Sequence, residues 1–446
     1  MTGTTVTGAV VTGTAALPRP RYCVWELTLA CDLGCRHCGS RAGSARPDEL
    51  DTRECLDVVA QLHEAGVSEV TLIGGEAYLR DDWDVIARSI VDHGMRCTMT
   101  TGARQLGPDR IARAVAAGMA GVTISIDGLE QTHDALRGAR GSWRAATEAA
   151  RAVRAAGLTL GVNTQINRLS LPELPALATL LVELGAVAWQ VQLTVPMGRA
   201  ADRPALLLQP WELLELFPLL AWIRASRLEP AGCRIMLGNN LGYHGPWESL
   251  LRFGGAGTWQ GCSAGDQAIG LEADGAIKGC PSLATRSWTG GNLRRDRLVD
   301  VIAAAPELRR LRERTRADLH GWCAACEHAD ACRGGCSWTA DVYFGRPGDN
   351  PFCVHRALAF EARGLRERVV RVQSAPGLPF DHGLFEIVVE PIPDAGESPV
   401  TALLDRYPLG EVLALTPRDA SLADSSTRRD TLRAAPRLAP GAKQGT

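Results

Sequence analysis

The 446-residue sequence has almost no excess of either charge sign: 48 Lys and Arg stand against 50 Asp and Glu, a net charge of −2. With no basic surplus to neutralise phosphates, a nucleic acid is not expected as partner. The sequence also lacks any run of 18 or more apolar residues, so no membrane span is expected. Met1 to Pro20 carries no positive charge before Arg19 and has no apolar centre, which is not the form of a signal peptide. A disordered leader over residues 1–20 of a cytoplasmic protein is expected instead. What the chain does have is apolar residues, 46% of the total, enough for a substantial core and for roughly two to three domains. It also has 14 cysteines. In a chain this large a secreted disulfide framework is a poor explanation, and the cysteines cluster, which favours metal ligation.

The first cluster is Cys31-Asp-Leu-Gly-Cys35-Arg-His-Cys38, directly after an apolar run from Tyr22 to Leu29 that reads as a buried strand. Three thiols are one short of the four that close a tetrahedral thiolate site or an all-cysteine iron–sulfur cluster, so one metal corner is left for another ligand. This C-x3-C-x2-C spacing resembles the signature of the radical S-adenosylmethionine (radical SAM) superfamily. The resemblance implies a [4Fe–4S] cluster held by Cys31, Cys35 and Cys38. Its open iron binds S-adenosyl-L-methionine (AdoMet), which the reduced cluster splits to a 5′-deoxyadenosyl radical.

Beyond Tyr22, strand-like and helix-like runs alternate. Strands are expected at Tyr22–Leu29, Glu69–Ile73, Arg96–Thr101, Gly121–Ile126, Thr159–Ile166 and Trp189–Val195. Helices are expected at Thr52–Ala65, Trp83–His93, Pro108–Ala117, Trp143–Ala156 and Leu174–Leu184. Asp51, Pro108 and Ser142 read as helix starts, and Gly66, Gly94, Gly118, Gly157 and Gly185 as helix stops. Six strands with helices between them give an α/β fold with a parallel sheet, and six is too few for a closed eight-fold barrel. The number suits the partial (β/α)6 barrel, related to the TIM barrel, that the resemblance implies. After the second strand comes Gly74-Gly75-Glu76. In this context it is similar to the family motif that holds the amino group of AdoMet. Ser125 and Arg137, twelve residues apart, fit family positions at its ribose and carboxylate, and an arginine can fork both carboxylate oxygens. A surface helix cation is the competing reading of Arg137. Gln190, Gln192 and Thr194 alternate onto one face of the sixth strand, toward the barrel interior. Asp127, Asn163, Gln192, Tyr243 and His244 are candidate substrate contacts, each with an equal claim to a structural role.

The second cluster is Cys262-x12-Gly275-x4-Cys280, then Cys323-x2-Cys326-x5-Cys332-x3-Cys336-x16-Cys353. Leu271 to Lys278 reads as a hairpin turning at Asp274-Gly275. The series resembles the SPASM extension of radical SAM enzymes, which carries two auxiliary [4Fe–4S] clusters. Carried over, Cys323, Cys326, Cys332 and Cys353 fill one. Cys262, Cys280 and Cys336 hold the other, one thiolate short, since residues 234–261 contain no cysteine and Cys233 is a poor candidate. Structural zinc is the rival, but it leaves the three front thiols without a fourth ligand, His37 being the one imidazole nearby.

The resemblance spans about residues 22–373 and implies a maturase acting on a ribosomally made precursor peptide, by crosslinking or backbone modification. The alternatives are a radical SAM dehydrogenase acting on a protein side chain or small metabolite, and a non-catalytic iron–sulfur or zinc protein. Pro281 stands where the sulfatase-maturing branch has a proton-accepting acid, which argues against formylglycine formation. An electron donor of flavodoxin or ferredoxin type is implied. A separate leader-peptide-binding protein, or else leader binding by the carboxyl-terminal segment, is expected, because only about twenty low-complexity residues precede the first strand. The expected division is a leader (1–20), the barrel (21–229), a bridge of irregular structure (230–260) and the SPASM region (261–373). A C-terminal extension with a short strand near Leu384–Glu390 (374–415) and a disordered tail (416–446) follow.

Overall fold

The computed structural model describes residues 20–252 and 257–393. The tail expected at 416–446, and the leader apart from Pro20, lie outside the described residues. Strands β1 (Tyr22–Glu26), β2 (Glu69–Ile73), β3 (Arg96–Thr101), β4 (Gly121–Ser125), β5 (Thr159–Ile166) and β6 (Ala188–Leu193) form within a few residues of their expected bounds. Helices α1 (Thr52–Glu64), α2 (Trp83–Asp92), α3 (Pro108–Ala116), α5 (Ser142–Ala155) and α6 (Leu174–Glu183) lie between them. Asp51 caps α1 by accepting from the Glu54 amide at 2.8 Å, while the Glu54 carboxylate accepts from the Asp51 amide, a reciprocal pair that satisfies two free donors. Each of the five expected stop glycines has positive φ, between 74° and 86°, where a side chain would be strained.

One helix was not foreseen. α4 (Glu130–Arg137) lies between β4 and α5. Its sequence, Glu-Gln-Thr-His-Asp-Ala-Leu-Arg, has too few apolar residues to show a helical period, and it buries His133, Leu136 and Arg137. The sheet is also larger than six strands. Its order is β10-β9-β8-β1-β2-β3-β4-β5-β6-β7. β7 (Arg234–Leu237) pairs parallel with β6, so the stretch expected to be irregular between 230 and 260 contributes a strand. On the other side, β8 (Ala268–Leu271) pairs parallel with β1, and β9 (Ala276–Lys278) and β10 (Thr289–Asn292) follow antiparallel. The Asp274-Gly275 hairpin therefore forms as expected, joined edge-on to the barrel. Strands of four residues are too short to carry a period, and their pairing is decided by the edges they meet.

The helices bury the outer faces of the strands. Trp25, Trp83 and Trp189 are all at most 1% exposed. α7 (Leu213–Ile223) belongs to the same core. The segment Pro204–Ala231 around it is long and apolar enough to cross a membrane by length and composition, but 83% of its apolar window is buried inside the fold, as in a core helix. Residues Leu365–Gln373 (β11) and Leu384–Pro391 (β12) pair antiparallel in a separate two-stranded sheet.

A buried charge cluster ties the hairpin to the barrel. Arg46 donates to Glu26 at 3.0 Å and to Glu272 at 3.3 Å, and Lys278 contacts Glu272 at 2.5 Å. Burial pushes the Glu26 carboxyl up from 4.5 to about 7, against the pull of Arg46. A carboxyl whose pKa is raised on folding binds its proton more tightly folded than unfolded, so its contribution to stability falls as pH rises from about 4.5 to about 7. In Glu26→Gln this loss, on the order of 3 kcal/mol, is absent. Urea denaturation of the two forms at several pH values across that window measures the difference.

Candidate functional site

The loop after β1 carries the first three cysteines and is gripped on several sides. Gly74 and Gly75 run beneath it: a Cβ on Gly74 would lie 2.4 Å from the Thr28 oxygen, and one on Gly75 would lie 1.8 Å from the Ala30 oxygen. Only glycine permits that approach. The Glu76 amide then donates to the Ala30 carbonyl at 2.8 Å. From α4, the Leu136 carbonyl accepts from the Arg36 amide at 2.7 Å, and Gly138, at φ +67°, sits so close to Gly34 that a Cβ would lie 2.6 Å from its oxygen. After β6, Arg199 donates to the Cys35 carbonyl at 2.8 Å and to the Ala42 carbonyl at 3.1 Å. A segment near the end of the described chain closes the last side. The Phe380 amide donates to Gly39 O at 3.1 Å, and Arg41 donates to the Asp381 carboxylate at 2.9 Å.

Within this frame the expected residues converge. Glu76 is fully buried; its carboxylate accepts from the Gly102 amide at 2.7 Å and from the Thr101 hydroxyl. Burial outweighs those hydrogen bonds and pushes its pKa up to about 7. Its carboxylate and the side chains of Cys31 and Asp32 place ligand atoms within 4.8 Å of one another. Arg137 is buried, not a surface cation. It points Nη1 at the Cys35 sulfur, 3.7 Å away, and pairs with Asp127 at 2.6 Å. Asp127 also meets His37 at 3.1 Å, so His37 is committed to a carboxylate. Ser125 ends β4, half-buried, in register with Asn163 of β5, whose side-chain oxygen is buried without a partner.

The later cysteines separate into two groups. Cys323, Cys326, Cys332 and Cys353 line one small chamber, of about 20 Å³, together with Tyr243, His244, His328 and His355. Cys262, Cys280 and Cys336 line a larger cavity of about 610 Å³, whose other walls include Gln190 and Gln192 of β6, Arg234 of β7, Pro281 and Trp338. Thr194 does not join them: it is buried and bonded to Asn167. Cys233 packs in the core, and Arg234 is the one charged group bearing on its thiol. Tyr243 is likewise structural. Its hydroxyl donates to the Asn239 carbonyl at 2.7 Å and accepts from the Cys336 amide at 3.0 Å.

Several of these thiols are held in their neutral form by burial. Burial, then the neighbouring Cys262 and Cys280, push Cys336 up to about 12. Burial followed by Glu76 does the same to Cys31, and burial raises Cys353, with Cys332, Cys323 and Cys326 adding to it. Crowded sulfurs of this kind repel one another as thiolates, and they ionise together only around positive charge. The donor sets therefore fit iron–sulfur clusters, three thiols at the first and at the larger cavity, four in the small chamber.

The Radical SAM superfamily matches residues 25–172, and the SPASM iron–sulfur cluster-binding domain matches residues 262–327. The chain is 33% identical over 373 residues, 79% of its length and 94% of the relative's, to mycofactocin maturase MftC of Mycobacterium ulcerans. It belongs to the radical SAM/SPASM enzymes. As such it is an AdoMet-dependent iron–sulfur enzyme. It is also 29% identical over 353 residues, 76% of this chain and 97% of the relative, to an AdoMet-dependent heme synthase of Methanosarcina barkeri. Two solved structures share the fold. SuiB of Streptococcus suis bound to S-adenosylmethionine superposes with a TM-score of 0.58 at 17% identity, over 72% of this chain and 73% of that one. AnSMEcpe with bound AdoMet gives 0.61 at 13% identity, over 76% and 95%. The sequence alone did not single out Thr101, Gly102 or Asp381 as supports of the site. Arg199 stood in the Pro-Met-Gly-Arg turn after β6 without an assigned role.

Proposed function

We propose that this radical SAM/SPASM enzyme is a maturase that modifies a ribosomally synthesised precursor peptide, by a crosslink or a change to its backbone. The observation that carries the reading is the cavity of about 610 Å³ between the barrel wall and Cys262, Cys280 and Cys336. Its size falls in the range of sites that enclose a ligand with several polar anchors. The identity to a protein named a mycofactocin maturase supports the same reading.

In this proposal Cys31, Cys35 and Cys38 hold one [4Fe–4S] cluster, and Gly74, Gly75, Glu76, Ser125 and Arg137 hold AdoMet beside it. Cys323, Cys326, Cys332 and Cys353 hold an auxiliary cluster. Cys262, Cys280 and Cys336, which line the cavity, would hold a second, one thiolate short. When bound, these groups supply a carbon radical able to take a hydrogen atom from an unactivated position and a route for the surplus electron. The chain's own residues do the rest. Glu76 offers a buried carboxylate to an ammonium, and Arg137 sets a fixed cation beside the Cys35 sulfur. Gln190 and Gln192 present amides that can bond a peptide backbone. Pro281 lines the same cavity and accepts no proton, which speaks against formylglycine chemistry. A flavodoxin- or ferredoxin-type donor and a separate leader-binding protein complete the proposal.

The test is anaerobic incubation of the reconstituted enzyme with AdoMet, dithionite and the short peptide encoded beside its gene. A peptide mass change that accompanies 5′-deoxyadenosine formation is expected. AdoMet cleavage with an unchanged peptide and an oxidised small alcohol would move the assignment to the dehydrogenase reading.

A further inference from the structure

Apart from the thiol sets and the group at the front loop, the described residues bring together a further set of side chains able to ligate a metal. Glu327, His328 and His355 place their ligand atoms within 4.8 Å of one another. His355 Nε2 already lies 3.5 Å from Glu327 Oε1. Ligand atoms around a tetrahedral ion with bonds of about 2.1 Å sit about 3.4 Å apart, so that edge is nearly the right length. The same folding that gathers the four thiols of the small chamber makes this group: Glu327 and His328 directly follow Cys326, and His355 follows Cys353 by two.

A third imidazole gives independent support. His244 stacks on His328 with ring centroids 4.1 Å apart and planes 10° from parallel, and His328 meets His355 edge-on at 4.7 Å. The His244 side chain is 9% exposed, and its Nε2 is buried with no hydrogen-bond partner. Its backbone lies in the left-handed region, at φ +51°, which histidine adopts more readily than most residues. His355 faces Glu327 at 3.5 Å and His244 lies 4.0 Å from Glu248, but neither pair accounts for His328, whose ring meets both of the others.

We propose that Glu327, His328 and His355 bind one divalent transition-metal ion at the edge of the four-cysteine chamber, whose lining includes both histidines. Two imidazoles and a carboxylate with open positions suit zinc, cobalt or iron(II), whereas magnesium and calcium prefer all-oxygen sets. Glu327 is exposed, its side chain 56% accessible, so an ion has a path in from solvent. This site uses no thiolate, although its two histidines line the same chamber as the four thiols, and it does not depend on the peptide reading.

The test uses anaerobically reconstituted holoenzyme, its iron and sulfide counted, titrated with cobalt(II) and followed by the visible spectrum of the ion. One cobalt per chain beyond the clusters is expected. Glu327→Gln and His355→Ala should each weaken binding by about tenfold or more, with iron content unchanged. If His355→Ala fails to hold its iron, the exposed Glu327→Gln form decides the matter alone. Absence of a bound cobalt, or equal binding by wild type and Glu327→Gln at equal iron, overturns the proposal.

Discussion

Cys35→Ala yields no 5′-deoxyadenosine above background when dithionite and AdoMet are added, a fall of about 10³-fold or more. The thiol is 7% exposed, faces Arg137, and hangs from a backbone whose carbonyl is fixed by Arg199. Removing one sulfur from a set of three leaves two ligands, too few to retain a cluster against solvent. The substitution is small, and the grips on the loop run through backbone atoms of its neighbours, so the fold persists. Cys233→Ala, which deletes a core thiol away from every set, is the matched control and retains full activity and iron. Equal product from Cys35→Ala and wild type would refute the assignment of the front site.

Arg137→Leu destabilises the protein by about 3–5 kcal/mol, because it leaves the Asp127 carboxylate buried beside a single imidazole. Asp127 is fully buried, and Arg137 is 2.6 Å away. Burial alone would raise the Asp127 pKa, but Arg137 and then His37 outweigh it and hold the carboxyl well below the usual range. A depressed carboxyl gives stability that is present above its unfolded pKa of 3.8 and is lost as pH falls below it. Thermal melts at neutral pH therefore show the full deficit of Arg137→Leu. Adding Asp127→Asn to that background restores much of the melting temperature, since the orphaned charge is gone. It does not restore AdoMet affinity, measured by equilibrium dialysis, if Arg137 touches the cofactor. Recovery of both by the double variant would make Arg137 a purely structural cation.

The alternation of strand and helix was legible because each element of the barrel repeats the same local grammar, an apolar run ended by glycine. The cysteine sets were legible because a ligand is a residue type, and its spacing survives folding. α4 was hidden because Glu130–Arg137 buries a histidine and an arginine where a periodic helix would show leucines. The charge of Arg137 suggested a surface; its partner, Asp127, sits ten residues upstream on another element. β7, and the pairing of β8 with β1, were hidden because four-residue strands are chosen by the sheet edges they find. The supports of the front loop were hidden for a different reason. Arg41 and Asp381 are separated by 340 residues, a distance no local pattern spans.

That last contact bears on how the enzyme matures. Gly377 and Leu378 donate to the Asp381 carboxylate, and Asp381 in turn holds Arg41 and accepts from the Gly198 amide. A nascent chain emerging from the ribosome reaches Cys38 long before it reaches Asp381. The front thiols are thus made early and their loop is clasped late, so the loop takes its final form only in a nearly finished polypeptide.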